Sequence, residues 1–171
     1  MNQRRANTRI LGVDPGSRMT GVGIIEIQGD RIVPVHYGAI NAGSGEFTER
    51  LGVIFSGLRA LIGEYRPDQA AIESVFVAHN AASAIKLGQA RGAAVCAAIS
   101  CDVPVAEYSP RSVKQAIVGK GNADKAQVQH MVGILLGITE KIQSDAADAL
   151  GVALCHQHTA HTLSRMAMMQ G

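Results

Sequence analysis

Four carboxylates stand where chemistry would need them: Asp14, Glu73, Asp145 and Asp148. Asp14 closes the apolar run Ile10-Leu11-Gly12-Val13 and is followed by the turn-forming pair Pro15-Gly16. Glu73 closes the run Ala70-Ala71-Ile72. Asp145 and Asp148 are three apart in what reads as the first turn of a helix, so both point along one face. Separations of 59 and 72 residues mean that only folding can assemble them. Gathered carboxylates repel unless a cation sits among them. Mg²⁺ prefers oxygen ligands and keeps waters and substrate phosphates in its shell, and two such ions about 4 Å apart serve phosphodiester cleavage. The residues alone leave a plainer reading open. An Asp before Pro-Gly is a common turn residue, and acids in a first helical turn answer the helix dipole, worth about 0.3–1 kcal/mol each. Glu73 is harder to explain by packing, because it ends an apolar strand.

The elements that must position these acids follow from periodicity and turn chemistry. Arg9 to Asp14 reads as a buried strand, with Gly21 to Ile27 and Ile32 to Ile40 as the next two, an antiparallel meander. Phe47, Leu51, Ile54, Leu58, Leu61 and Ile62 recur at helical spacing, predicting a helix from Glu46 to Tyr65. Gln69 to Glu73 is a short strand, and an Ala- and Gly-dense helix runs from Asn80 to Ser100. Val103 to Tyr108 is the fifth strand. Ser109-Pro110 starts a helix that runs to Val118. Asn122 is expected to cap the next helix, ending at Leu136 before Gly137, and Ser144 to cap the last. Early hairpins followed by β-α-β alternation predict a mixed sheet with helices on both faces, and in such sheets sites gather where strands end.

The 171 residues are one domain by length. Residues 1–8 are expected to be a flexible tail, 9–161 a single domain, and 162–171 a tail or an extension of the last helix. No apolar run is long enough for a membrane span. The Arg4-Arg5 pair is followed only by the short apolar stretch Ile10 to Val13, so no signal peptide is read and the expected location is the cytoplasm. Three cysteines, Cys96, Cys101 and Cys155, are odd in number and read as reduced thiols. Cys155-His156-Gln157-His158 with His161 looks like a zinc cluster, but helical spacing lets only pairs share a face, so no structural zinc is expected.

Several motifs together resemble the RuvC Holliday junction resolvases, a family with a ribonuclease-H-like fold. They are Ile10-Leu11-Gly12-Val13-Asp14-Pro15-Gly16-Ser17-Arg18 with Thr20-Gly21, Ala71-Ile72-Glu73-Ser74-Val75-Phe76, Leu87-Gly88-Gln89-Ala90-Arg91-Gly92 and Val113-Lys114-Gln115. Gly119-Lys120-Gly121, Lys125-Ala126-Gln127-Val128-Gln129 and Asp145-Ala146-Ala147-Asp148-Ala149-Leu150 complete the series, in order, over residues 9–158. The resemblance implies an α/β fold with a five-stranded mixed sheet. It also implies a homodimer that nicks two opposing strands of a four-way DNA junction symmetrically, leaving 5′-phosphates, and that works beside the RuvA–RuvB branch-migration motor. By the same resemblance, Asp14, Glu73, Asp145 and Asp148 match the metal-binding catalytic acids, served by two Mg²⁺ with Mn²⁺ as a substitute. Lys114 and Lys125 match residues of phosphate contact and catalysis, and Phe76 an aromatic that stacks on an unpaired base. The chain departs from the pattern at His79, where relatives often carry Lys, which makes one phosphate contact weaker or pH-dependent.

Charge supports the DNA reading. Glu107 to Lys125 holds four bases, Arg111, Lys114, Lys120 and Lys125, against two acids, and such a stretch on its own is more often a solvated helix face. With the four candidate acids assigned to metal, the chain has 16 Lys and Arg against 10 remaining acids. Arg111, Lys114, Lys120, Lys125, Phe76 and His79 are therefore the expected DNA contacts. The rival readings are a nuclease for another nucleic acid, a junction-binding module without catalysis, and a nucleotide-hydrolysing relative of the fold. The last is disfavoured by length, and a pure binder gains nothing from acids facing phosphates.

Overall fold

The computed structural model describes residues 7–74 and 80–169. Three antiparallel strands open the fold, β1 (Thr8–Asp14), β2 (Met19–Gln28) and β3 (Arg31–Asn41), followed by α1 (Phe47–Tyr65). Then come β4 (Gln69–Glu73), α2 (Ala81–Ile99), β5 (Val105–Tyr108), α3 (Pro110–Val118), α4 (Lys125–Leu136) and α5 (Ser144–Met169). The sheet order is β3-β2-β1-β4-β5. β1, β2 and β3 pair antiparallel, whereas β4 joins β1 and β5 joins β4 in parallel. The mixed sheet expected from the order of elements is present, with helices on both faces.

Alternation along the strands divides the core in two. Leu11, Val13, Val22, Ile24, Ala70 and Ile72 face α1 and α2, and pack on Ile54, Leu58, Ala90 and Ala94. Ile10, Ile25 and Ala71 face the other way, onto α3, α4 and α5, where Val113, Val132, Leu150 and Leu154 meet them. The second face has an unusual seat. A Cβ added at Gly12 would lie 2.1 Å from the Ala149 carbonyl oxygen, and one at Gly21 2.0 Å from that of Asp145. One at Gly23 would lie 2.8 Å from Leu150. Glycine in a strand interior marks such close approach, and here α5 lies directly on the backbone of β1 and β2.

Three local expectations need correction. Thr8 is not part of a tail: it pairs with Ile27 in β1, and the Asn7 side chain donates to Glu26 at 3.0 Å. Asn122 does not cap α4. Asp124 does, accepting from Gln127 N–H at 2.8 Å while the Gln127 side chain accepts from Asp124 N–H at 3.1 Å. A reciprocal capping box satisfies two orphan donors where Asn122 would satisfy one. Ser144 lies inside the first turn of α5, since the Gln143 carbonyl accepts from Ala147 N–H, and its hydroxyl accepts from Gln129 at 2.9 Å. Within the Cys155–His161 stretch Cys155 is buried and His161 exposed. His156 bonds Tyr108 and Gln69, each at 2.8 Å, and His158 bonds the Ala116 carbonyl at 3.1 Å. α5 continues through 162–169, exposing Leu163, Met166, Met168 and Met169. Among the described residues no helix is long and apolar enough to cross a membrane.

Candidate metal-dependent nuclease site

The strand period puts Asp14 on the face of Ile10 and Gly12, and Glu73 on the face of Ala71, so both acids look toward α5. In the parallel ladder the last registered pair is Val13 with Ile72. Asp14 and Glu73 follow it, side by side at the carboxyl ends of the central strand β1 and its neighbour β4. Their side chains are within hydrogen-bonding reach of each other. The glycine seat then delivers the first turn of α5, with Asp145 and Asp148, onto the same spot. Lys125, the first residue of α4, closes the cluster with its ammonium 2.6 Å from an Asp148 oxygen.

The electrostatics record the crowding. Burial is the main reason the Asp14 carboxyl is pushed up to about 6, with Asp148 adding to it and the contact to Glu73 and the charge of Lys125 opposing. Burial and then the negative charge of Asp14 push Glu73 up to about 8. The bond to Asp148 holds the Lys125 ammonium above its usual range. At neutral pH the pair Asp14–Glu73 therefore retains a proton, and Asp148 borrows the charge of Lys125. A proton and an ammonium supply the positive charge that the four acids demand.

The donor set is all hard oxygen, which fits a divalent cation such as Mg²⁺ better than a soft metal. Among the described residues no three of these side chains converge on a single point as a finished cage. The fit is therefore one of donor chemistry and neighbourhood, with Asp148 paired to Lys125. Beside the acids, Glu73, Lys125 and Asp148 line a hollow of about 210 Å³ together with Pro110, Val113, Lys114 and Val128. A larger hollow of about 720 Å³ lies at the other end of the sheet, among Thr8, Ile27, His158 and Met168. Its lining contains one carboxylate, Asp30, and none of the four acids.

All four sequence-predicted acids are thus neighbours, and Lys114 and Lys125 stand at their edge. Arg111 and Lys120 are exposed at the two ends of α3, flanking that edge, and Arg111 packs against Gly121. Phe76 and His79 lie outside the described residues.

The model for crossover junction endodeoxyribonuclease RuvC matches residues 10–156. The chain belongs to the RuvC family. The RuvC of Methylococcus capsulatus is 54% identical over 162 residues, covering 95% of this chain and 98% of that relative. The one from Marinobacter nauticus is 56% identical, covering 95% and 93%. The structure of Thermus thermophilus RuvC in complex with a Holliday junction substrate superposes with a TM-score of 0.85 at 34% identity, over 91% of this chain and 96% of that one. Membership in this nuclease family carries dependence on a divalent metal.

Sequence reasoning missed three supports of the site. The glycine seat is one. Thr20, wholly buried, is the second: its hydroxyl bridges Gly16, donating to the carbonyl at 3.0 Å and accepting from the N–H at 3.3 Å, which fixes the turn after Asp14. Arg50 is the third, donating from α1 to the Ser17 carbonyl of that turn at 3.0 Å. The alternate glycines Gly21-x-Gly23 in an otherwise apolar strand were a readable signal, but the reach of Arg50 across 33 residues was not.

Proposed function

We propose that this RuvC-family endonuclease resolves four-way DNA junctions by Mg²⁺-dependent hydrolysis of two opposing strands, with Asp14, Glu73, Asp145 and Asp148 as ligands of two Mg²⁺ ions. Mn²⁺ is the expected substitute. The observation that carries the assignment is the pairing of Asp14 with Glu73 at the carboxyl ends of β1 and β4, near enough to Asp148 for its charge to act on both, with the two carboxyls held far above their usual range. The bound ions supply an activated water and stabilisation of the leaving oxygen. The chain's residues do the rest. The four carboxylates fix the geometry. Lys125 balances Asp148 and is then placed to donate to a phosphate oxygen, with Lys114 beside it. Arg111 and Lys120 extend the basic edge along the DNA, and Phe76 and His79 contribute at the crossover.

One acid cluster cuts one strand, so symmetric resolution calls for a two-fold pair. The candidate seam is the outer stripe of α2. Ala90, Ala94, Ala97 and Ala98 face the core, while Ile85 and Ile99 are 63% and 60% exposed. Between them Gly88 and Gly92 have open space where a Cβ would be, and Cys96 is exposed. At about 100° per residue these five fall within one stripe roughly 100° wide, and its small residues permit close helix approach. RuvA–RuvB are the expected partners in the cell, and the cytoplasm the expected location.

The deciding experiment incubates the chain with a synthetic four-way junction and Mg²⁺ and maps every nick. Two symmetric nicks with ligatable 5′-phosphate ends are expected. Equal cutting of linear duplex, or binding without nicks, refutes the reading. Sedimentation as a monomer at micromolar concentration, with and without junction, removes the two-fold pair.

A further inference from the structure

The opposite flank of the cleft, toward α1 and α2, carries three cations that the site described above does not use for substrate. Arg18 is exposed in the turn after Asp14. The guanidinium carbon of Arg50 lies 5.1 Å from the centroid of the Phe47 ring. The ammonium of Lys86, an exposed residue in the second turn of α2, comes within 5.8 Å of the same centroid. Among the described residues the ion pairs are Arg9–Glu26, Arg91–Glu107 and Lys125–Asp148, so none of these three cations is paired with a carboxylate. The Nε of Arg50 is in addition buried without an acceptor. Glu46 and Glu49 lie at the same end of α1, exposed, with the Glu49 carboxylate turned toward Gly45.

One aromatic ring attracts a cation with about 0.5–1 kcal/mol at an exposed site. Two cations drawn to one ring from different helices also repel each other, and an anion placed against both removes that repulsion. The location selects the anion. Arg50 already holds the turn that presents Asp14, so whatever it binds adjoins the strand being cut.

We propose that Phe47, Arg50 and Lys86 form a second phosphate clamp, which grips the DNA arm leaving the cleft on the α1–α2 side, across the acids from Lys114 and Lys125. The proposal rests on the junction-nuclease reading and adds a surface to it. Arg50 is then both a phosphate contact and the link between that contact and the Asp14 turn.

The test uses the full chain without divalent metal, so that DNA stays intact, and measures junction affinity between about 50 and 200 mM salt. Each lost phosphate contact lowers the slope of log affinity against log salt by about 0.9. Lys86→Gln is expected to weaken binding several-fold and flatten the slope by that amount, as is Lys114→Ala on the other flank. Arg59→Gln is the matched control. Arg59 sits 5.7 Å over the Phe55 ring on the same helix, about 13 Å further along it, and should change neither quantity. A normal slope for Lys86→Gln, with Lys114→Ala flattened, overturns the clamp and leaves the proposed function standing. Equal flattening by Arg59→Gln also overturns it, because general surface charge then explains the effect. Failure of the unaltered chain to bind the junction overturns the function, and the clamp with it.

Discussion

The two faces of the sheet solve the same packing problem in different ways. Toward α1 and α2, side chains interdigitate: Leu11, Val13 and Ile24 meet Ile54, Leu58 and the small residues of α2. Toward α5, backbone meets backbone at Gly12 and Gly21, and the Leu150 side chain fills the space left at Gly23. Side chains can shift by tenths of an ångström at modest cost, whereas a carbonyl at 2 Å from a new methyl cannot. The rigid face carries the acids, whose mutual geometry decides the rate. The yielding face carries Arg50 and Lys86, which need only hold a flexible polyanion. Precision has been placed where the chemistry requires it.

The largest effect expected from breaking this division is at the acids. Asp14→Asn keeps shape and loses one charge and one strong oxygen ligand. Loss of a direct ligand should exceed the roughly 10–100-fold typical of groups one layer out, each tenfold being about 1.4 kcal/mol of barrier. Junction affinity without metal should hold or rise, because a carboxylate near the phosphates is gone. Gel-shift affinity measured beside single-turnover cleavage reads both, and a wild-type cutting rate for Asp14→Asn would remove the acid cluster from the mechanism. Glu73→Gln, Asp145→Asn and Asp148→Asn should follow the same pattern.

Next comes one methyl group, added to either face. In Gly21→Ala the Cβ would lie 2.0 Å from the Asp145 carbonyl oxygen, so the first turn of α5 must move and take Asp145 and Asp148 with it. Overpacking of this kind costs about 1–3 kcal/mol of stability, and a misplacement of about 1 Å can cost about a hundredfold in rate. In Gly57→Ala, on α1, the new Cβ meets only the Ile40 side chain, at 3.1 Å. Helix propensity returns up to about 1 kcal/mol there, so stability should change by less than about 1 kcal/mol and cleavage not at all. Thermal melts and single-turnover rates of the pair decide it. Equal behaviour of the two variants would mean that the faces do not differ in the way described.

Much of this was legible beforehand. Apolar runs, helical spacing, and cap and turn residues located all five strands and five helices, and Gln69 to Glu73 was placed to the residue. The four acids could be named since each ends an element. What stayed hidden depends on partners distant in sequence. Asn122 and Asp124 both have capping side chains, and only the reciprocal bond from Gln127 selects the second. The role of Gly12 is invisible without Ala149 lying across it, and that of Arg50 without the Ser17 carbonyl. The ion pair of Lys125 with Asp148 joins two helices whose approach no local pattern encodes.

The smallest effect is the most direct reading of the charge crowded onto the rigid face. Glu73 has a pKa of about 8 in the folded chain, against about 4.3 when unfolded. The native state thus binds the extra proton, so this group's contribution to stability is complete below the unfolded value and is lost as pH rises through about 8. His156 acts in the opposite sense, since burial lowers its pKa, but its contribution changes below about 6.5. Cys155, pushed up to about 11 by burial, acts in the same sense as Glu73 but only from about pH 8.5 upward, where the unfolded thiol ionises, and that part is common to wild type and Glu73→Gln. Between pH 7 and 9 the metal-free chain should therefore lose melting temperature, whereas Glu73→Gln, which has no proton to lose there, should show a flatter profile. Added Mg²⁺ should restore stability more at pH 9 than at pH 7, because it replaces the lost proton as counter-charge. The yielding face supplies the control: Gly57→Ala should reproduce the wild-type profile. A Glu73→Gln melt that falls as steeply as wild type would place the pH dependence elsewhere and leave the crowding at β1 and β4 without a thermodynamic consequence.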